Sequence, residues 1–161
     1  MRKAEAERWS RALRSGKYVK YTGALRSSLN PNQCCVMGVA ALVLPGVEWE
    51  MTWSGRGGIP TQIKVPNGEI SIGIAVPQLI LKLWAMHPDW ATVMAMLNDQ
   101  WHLTFGEMAT VIDSRYSEFA KPTKLRPGQM AIKLSNEFDE RKAEVSGSQR
   151  RRTRRKVAHN G

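Results

Sequence analysis

Cysteine is nearly absent from this chain: there are two in 161 residues, and those two, Cys34 and Cys35, are neighbours. A vicinal disulfide is strained and rare, so both are expected as reduced thiols, and no disulfide framework holds the fold. Long apolar runs are missing too. None reaches the roughly 18 to 20 residues that a membrane span needs. Met1-Arg2-Lys3-Ala4-Glu5 leads into an amphipathic segment, not the apolar stretch of a signal peptide. These absences point to a cytoplasmic protein without a membrane partner. Internal repeats are also lacking. With 42% hydrophobic residues the chain has the means to pack a core, and its length fits one domain with a tail.

Acidic residues are scarce at one end only. Residues 1–119 hold 12 Lys/Arg against 10 Asp/Glu, and residues 120–161 hold 12 against 4, so +8 of the net charge of +10 belongs to the C-terminal quarter.

Within the near-neutral part, Glu5 to Ser15 reads as a helix, with Ala6, Trp9, Ala12 and Leu13 at helical spacing and Gly16 as its stop. Lys17 to Tyr21 reads as extended, with a turn at Gly23. Asn30-Pro31-Asn32 is loop chemistry and supplies an N-cap candidate. A helix apolar nearly all round is expected from about Gln33 to Leu44, ended by Pro45-Gly46. Gly38 inside it costs about 1 kcal/mol relative to alanine, which a close approach of another backbone would offset.

Glu48 to Trp53 alternates polar and apolar, as a half-buried strand does. After a loop over Ser54 to Gly58, Gln62–Val65 and Glu69–Ile74 read as a hairpin about Pro66-Asn67-Gly68, with Ile70, Ile72 and Ile74 on one face. Pro77 begins a helix to about Met86 whose core face holds Leu79, Ile80, Leu83 and Trp84. His87 to Trp90 breaks it, and Ala91 to Leu97 is helical by composition. Asn98 to His102 reads as an exposed polar turn. Thr104 and Glu107 form a capping box for a structural helix to about Phe119. Beyond Ala120 the expected layout is a linker and marginal helix over 120–145 and a disordered, arginine-rich arm over 146–161.

Several of these segments form an ordered set. Trp9 to Tyr18 reads Trp-x-x-Ala-Leu-x-Ser-Gly-x-Tyr. Gly-x-Leu-Arg follows at Gly23 to Arg26, then Cys-Cys-x-x-Gly-Val at Cys34 to Val39, Leu-Asn-Asp at Leu97 to Asp99, and Thr-Phe-x-x-hydrophobic-Ala-x-x-Ile at Thr104 to Ile112. The set resembles a family of small tailed-phage and prophage proteins over residues 9–116. The resemblance implies a viral origin and action in a bacterial cytoplasm, and it carries no catalytic residue with it. The chain departs from the family pattern in its long basic tail and in Ala40-Ala41, near which similar proteins often have a third cysteine.

Two chemistries compete for the candidate sites. A thiol at a helix N-terminus gains acidity from the helix dipole, so Cys34 or Cys35 is a candidate nucleophile, with His102 or His87 as base and Asp99 or Asn98 to orient it. The plainer reading of both cysteines is small core residues. A zinc site is not expected, because adjacent cysteines diverge from a helix and only His87 and His102 are in reserve as further ligands. No cofactor is implied. The tryptophans read as core; Trp49 and Trp53 lack the basic surroundings of a base-stacking platform.

The run Arg150, Arg151, Arg152, Arg154, Arg155 and Lys156 places six cations in seven residues, which no core accommodates. It suits phosphate contact with DNA or RNA, or an acidic host protein. The expected fold is α+β: three or four helices on a small, mostly antiparallel sheet. The expected function is that of a non-enzymatic phage accessory protein binding nucleic acid, or a nucleic-acid-associated host complex, through the arm. A thiol enzyme and an inhibitor of a host defence nuclease are the alternatives.

Overall fold

Trp9 is where the fold can be entered. It lies on α1 (Lys3–Arg14), whose buried face is Ala6, Trp9 and Leu13 and whose opposite side carries Arg8, Arg11 and Arg14 to solvent. Glu5 accepts the Arg2 backbone N–H at 3.0 Å and pairs with the Arg2 guanidinium. Burial pushes the Glu5 carboxyl up, but these bonds outweigh it and hold the group below its ordinary value. Gly16, at φ +72°, ends the helical course in the left-handed region. The Trp9 indole donates to Val36 O at 3.0 Å, and its ring meets Trp84 edge-on at 5.2 Å and Phe119 at 6.4 Å. Trp90 stacks on the other side of Phe119 at 4.6 Å. All four rings are almost wholly buried.

The computed structural model describes residues 1–22, 25–27, 30, 32–44, 48–50, 62–64, 70–72 and 78–159, with the backbone alone for 48–50, 62–64, 70–72, 79 and 146–159. The expected turns at Gly23 and Pro66-Asn67-Gly68, the stop at Pro45-Gly46, the strand end at Trp53, the loop at 54–58, and the readings of Pro31, Ile74 and Pro77 lie outside these residues.

After α1 come β1 (Val19–Lys20), β2 (Gln33–Cys34), α2 (Val36–Leu42), β3 (Glu48–Glu50), β4 (Gln62–Lys64), β5 (Ile70–Ile72), α3 (Gln78–Leu83), α4 (Pro88–Asp99), α5 (Phe105–Arg115), a 3-10 turn at Tyr116–Glu118 and α6 (Pro127–His159). β1 and β2 pair in parallel, Val19 opposite Gln33 and Lys20 opposite Cys34. β3, β4 and β5 form an antiparallel sheet with Ile63 between Trp49 and Ser71, so the strand and hairpin expected from alternation are present in the backbone.

The domain is mostly helical and compact, with six α-helices among the described residues. This corrects the expected three or four helices on a sheet. The helices pack on one another: α1 lies along α5, α6 along α4, and α2 against α1 and α4. The two-stranded parallel sheet only leads into α2. The Cys34–Cys35 step explains the later start of that helix. Gln33 and Cys34 are extended in β2, and Cys35, at φ −75° and ψ 170°, is the N-cap, in place of the Asn30 to Asn32 candidates. Asn30 instead makes a turn of its own, its side-chain oxygen accepting the Asn32 N–H at 2.9 Å. The capping box is as expected: Thr104 N–H reaches Glu107 Oε2 at 2.7 Å and Glu107 N–H reaches Thr104 Oγ1 at 3.2 Å.

The stretch expected as linker and marginal helix joins the core. Pro127 suits the first turn of α6, and Met130, Ala131 and Leu134 are buried with the body. Four core-facing residues at helical spacing, ending in half-buried Phe138, hold a helix whose other faces are polar. Arg115 pairs with Glu137 at 3.3 Å and Lys142 with Glu107 at 2.6 Å, which fixes the register of α6 on α5 more than it stabilises the contact. The same helix continues as backbone to His159, through the stretch expected as a disordered arm. Arg, Lys and Gln are good helix formers, and a helix already nucleated by packing needs only propagation.

Gly38 meets the condition its cost required. A β-carbon there would overlap the Leu25 carbonyl oxygen, which also accepts the Cys35 N–H at 3.0 Å. Gly38→Ala is therefore expected to destabilise the protein by about 1 to 3 kcal/mol or more, as overpacking against backbone does. Gly106→Ala, whose β-carbon would find only Thr104 Oγ1 at 3.9 Å, should be neutral or stabilising by up to about 1 kcal/mol. Urea denaturation of the two variants beside the parent tests both.

Candidate functional site

The cysteines stand at the mouth of α2, and every backbone donor at that mouth is engaged. Cys35 N–H is taken by Leu25 O, and Val36 N–H donates to Asn98 Oδ1 at 3.2 Å. Gly38 N–H donates to Cys35 Sγ at 3.3 Å, and Met37 N–H also favours that sulfur's negative form. The dipole effect invoked for an activated thiol is present, yet burial outweighs it. Desolvation pushes Cys35 up to about 12 against the help of those two N–H groups, with Asp99 and Cys34 adding to the rise. Desolvation likewise raises Cys34 to about 11, opposed by Arg26.

Asn98 is the residue that organises this region. It was expected in an exposed turn, but it lies on the last turn of α4 with no exposed surface. Its oxygen takes the Val36 N–H. Its nitrogen donates to Tyr21 O at 2.8 Å and to Asp99 Oδ1 at 2.6 Å, so both amide hydrogens are used. One side chain thus joins α4, the start of α2 and the segment after β1.

The histidines have local tasks. His87 is the N-cap of α4: its Nδ1 accepts the Asp89 N–H at 3.3 Å, and its own N–H donates to Phe119 O at 2.7 Å. His102 is exposed and adopts φ +52°, while Leu103 N–H closes back on Leu97 O at 3.1 Å. It is the left-handed residue that ends α4. Of the proposed thiol set, the structure gathers Cys35, Asn98 and Asp99. It gives His102 a backbone role instead.

Lys20 was not singled out from the sequence. Desolvation lowers its pKa, opposed by the Asp99 and Glu107 carboxylates that face it. Burial works against Glu107 in turn, but the hydrogen bonds from Lys142 and Thr104 outweigh it and leave that carboxyl below its ordinary value. These charges form a strap from β1 across α4 and α5 to α6. Residues 20, 99, 107 and 142 lie too far apart in the chain for any local pattern to reveal them.

Among the described residues, no three His, Cys, Asp or Glu side chains are close enough together to hold a metal ion, and no helix is long and apolar enough to cross a membrane. A groove of about 480 Å³ runs between α1 and α5; Arg14 pairs with Asp113 across it at 2.6 Å, and Lys3 pairs with Glu7 along α1 at 3.8 Å.

The second candidate is the end of α6. The helix is 33 residues, about 50 Å at 1.5 Å per residue. Its packing thins outward: every residue from Asp139 to Val145 is exposed, although Arg141 still lies 5.6 Å from the Phe138 ring. Arg150 to Lys156 follow on the same helical backbone, beyond this exposed stretch. No protein-family model, curated protein or solved structure matches the chain.

Two expected outcomes test this description. Both thiols should alkylate far more slowly than free cysteine at neutral pH in the native protein and rapidly once it is unfolded, as a timed iodoacetamide reaction read by mass would show. Asn98→Ala leaves the Val36 N–H and Tyr21 C=O without partners, and thermal or urea unfolding should show a loss of roughly 2 to 4 kcal/mol.

Proposed function

We propose that this chain is a non-enzymatic phage or prophage accessory protein of the bacterial cytoplasm that carries a basic helix end to nucleic acid on a compact helical body. The observation that carries the reading is the partition of charge. A nearly neutral body bears, at the far end of its longest helix, six cations in seven residues beyond an exposed stretch. Cations held clear of the body's carboxylates release counterions when they meet phosphates, and this drives binding with little regard to sequence. The ordered motif blocks that resemble tailed-phage proteins supply the compartment. Burial raises the pKa of both thiols, which weighs against the thiol-enzyme alternative.

Replacing Arg150, Arg151, Arg152, Arg154, Arg155 and Lys156 by glutamine in the full-length protein should abolish binding to labelled DNA and RNA while leaving thermal stability unchanged. For the parent, six phosphate contacts predict a slope of log affinity against log salt near about −5 on duplex DNA. Cutting the chain after Val145 should have the same effect as the glutamine variant. Cutting after Ala120 would also remove the buried Met130, Ala131 and Leu134 and would confuse unfolding with lost binding. Unchanged affinity in the glutamine variant would reject the assignment.

A further inference from the structure

The end of α6 is charged around most of its circumference. At about 100° per residue, Arg150, Arg151, Arg152, Arg154, Arg155 and Lys156 cover about 240° of the helix. The remaining sector is a continuous uncharged stripe, Ser146, Gln149, Thr153 and Val157, at spacings of three, four and four residues. Charge of this breadth is poorly used by a polyanion that approaches from one side, because the cations on the far flank stay in solvent. Two walls of phosphate use more of it: with the uncharged stripe between them, Arg150 and Arg154 fall on one flank and Arg152 and Lys156 on the other. Resting on the nucleic-acid reading above, we propose that this end of α6 enters the major groove of double-stranded DNA.

The dimensions agree. The groove is about 12 Å wide and admits an α-helix, whose diameter with side chains is about 10 to 12 Å. The phosphate backbones on its two sides meet cations on both flanks of the helix, and the uncharged stripe takes the register of the groove floor. Gln and Thr are residue types that can bond base edges there. The major groove of A-form RNA is deep and narrow and does not admit the helix. The pairs 150/154, 151/155 and 152/156 are like charges one turn apart, which strain a helix in isolation. Phosphates on both flanks relieve that repulsion, so the duplex selects the helical form.

The test titrates the full-length protein, by fluorescence anisotropy, against a labelled DNA duplex of about two helical turns, its single strand, and the RNA duplex of the same sequence, between about 50 and 200 mM salt. Dimethyl sulfate probing of guanine N7 reports the major groove directly. The expected result is DNA-duplex binding at least about tenfold tighter than to either other polymer, with N7 protection. Thr153→Pro keeps all six cations but breaks the helix, and it should lose that preference while keeping salt-sensitive binding to all three. Equal affinity for the three polymers, preference for RNA or the single strand, or an unaltered preference in Thr153→Pro would overturn groove insertion and leave the nucleic-acid reading standing. Absence of binding to all three would overturn both.

Discussion

The N–H of Val36 has no water to turn to. α2 is a seven-residue helix buried nearly all round, and the first donors of any helix lack partners within it. Buried unpaired, each would cost more than a short apolar helix returns. The surrounding structure is arranged to meet this demand. Leu25 O receives Cys35, Asn98 receives Val36, and the Cys35 sulfur receives Gly38. To bring Leu25 O close enough, position 38 must lack a β-carbon. To bring the Asn98 amide, α4 must end beside α2. To finish satisfying that amide, the chain after β1 must pass Tyr21 O over it. The parallel pairing of β1 with β2 is the backbone track that achieves this.

Three of the ordered sequence blocks meet here. Leu25 belongs to the Gly-x-Leu-Arg block, Cys35 and Gly38 to the cysteine block, and Asn98 to the Leu-Asn-Asp block, and all three blocks touch at the mouth of α2. Together they solve one hydrogen-bonding problem. The part of Cys35 in it is that of an acceptor, its buried sulfur taking the Gly38 N–H at 3.3 Å.

What the sequence made legible follows the range of the interactions involved. The Thr104–Glu107 box, the α1 stripe, the antiparallel strands and the need for a neighbour at Gly38 are set within a few residues, and composition displays them. Asn98 was hidden because a Leu-Asn-Asp-Gln run has the polarity of a surface turn. Only the position of Val36, 62 residues away, makes the amide a core group. The core role of α6 was hidden because Met130, Ala131, Leu134 and Phe138 form a narrow stripe within a strongly polar window. The width of a stripe tells how much of a helix is buried, and a low average conceals that a narrow stripe can still anchor one.

α1 illustrates a further consequence, concerning order in time. Its closest neighbour is α5, and the ion pair between them joins Arg14 to Asp113, 99 residues later. Trp9 likewise meets Phe119. Twelve residues of helix are marginal on their own in water, and this one has a tryptophan-bearing face that α2 meets only in part, the rest waiting for Trp84, α5 and Phe119. Contacts of such separation slow folding and leave apolar surface open to other molecules meanwhile. α1 precedes α5 on the chain and completes its docking only after α5 exists, so the yield of native protein in a cell depends on how well that one tryptophan face is shielded while it waits.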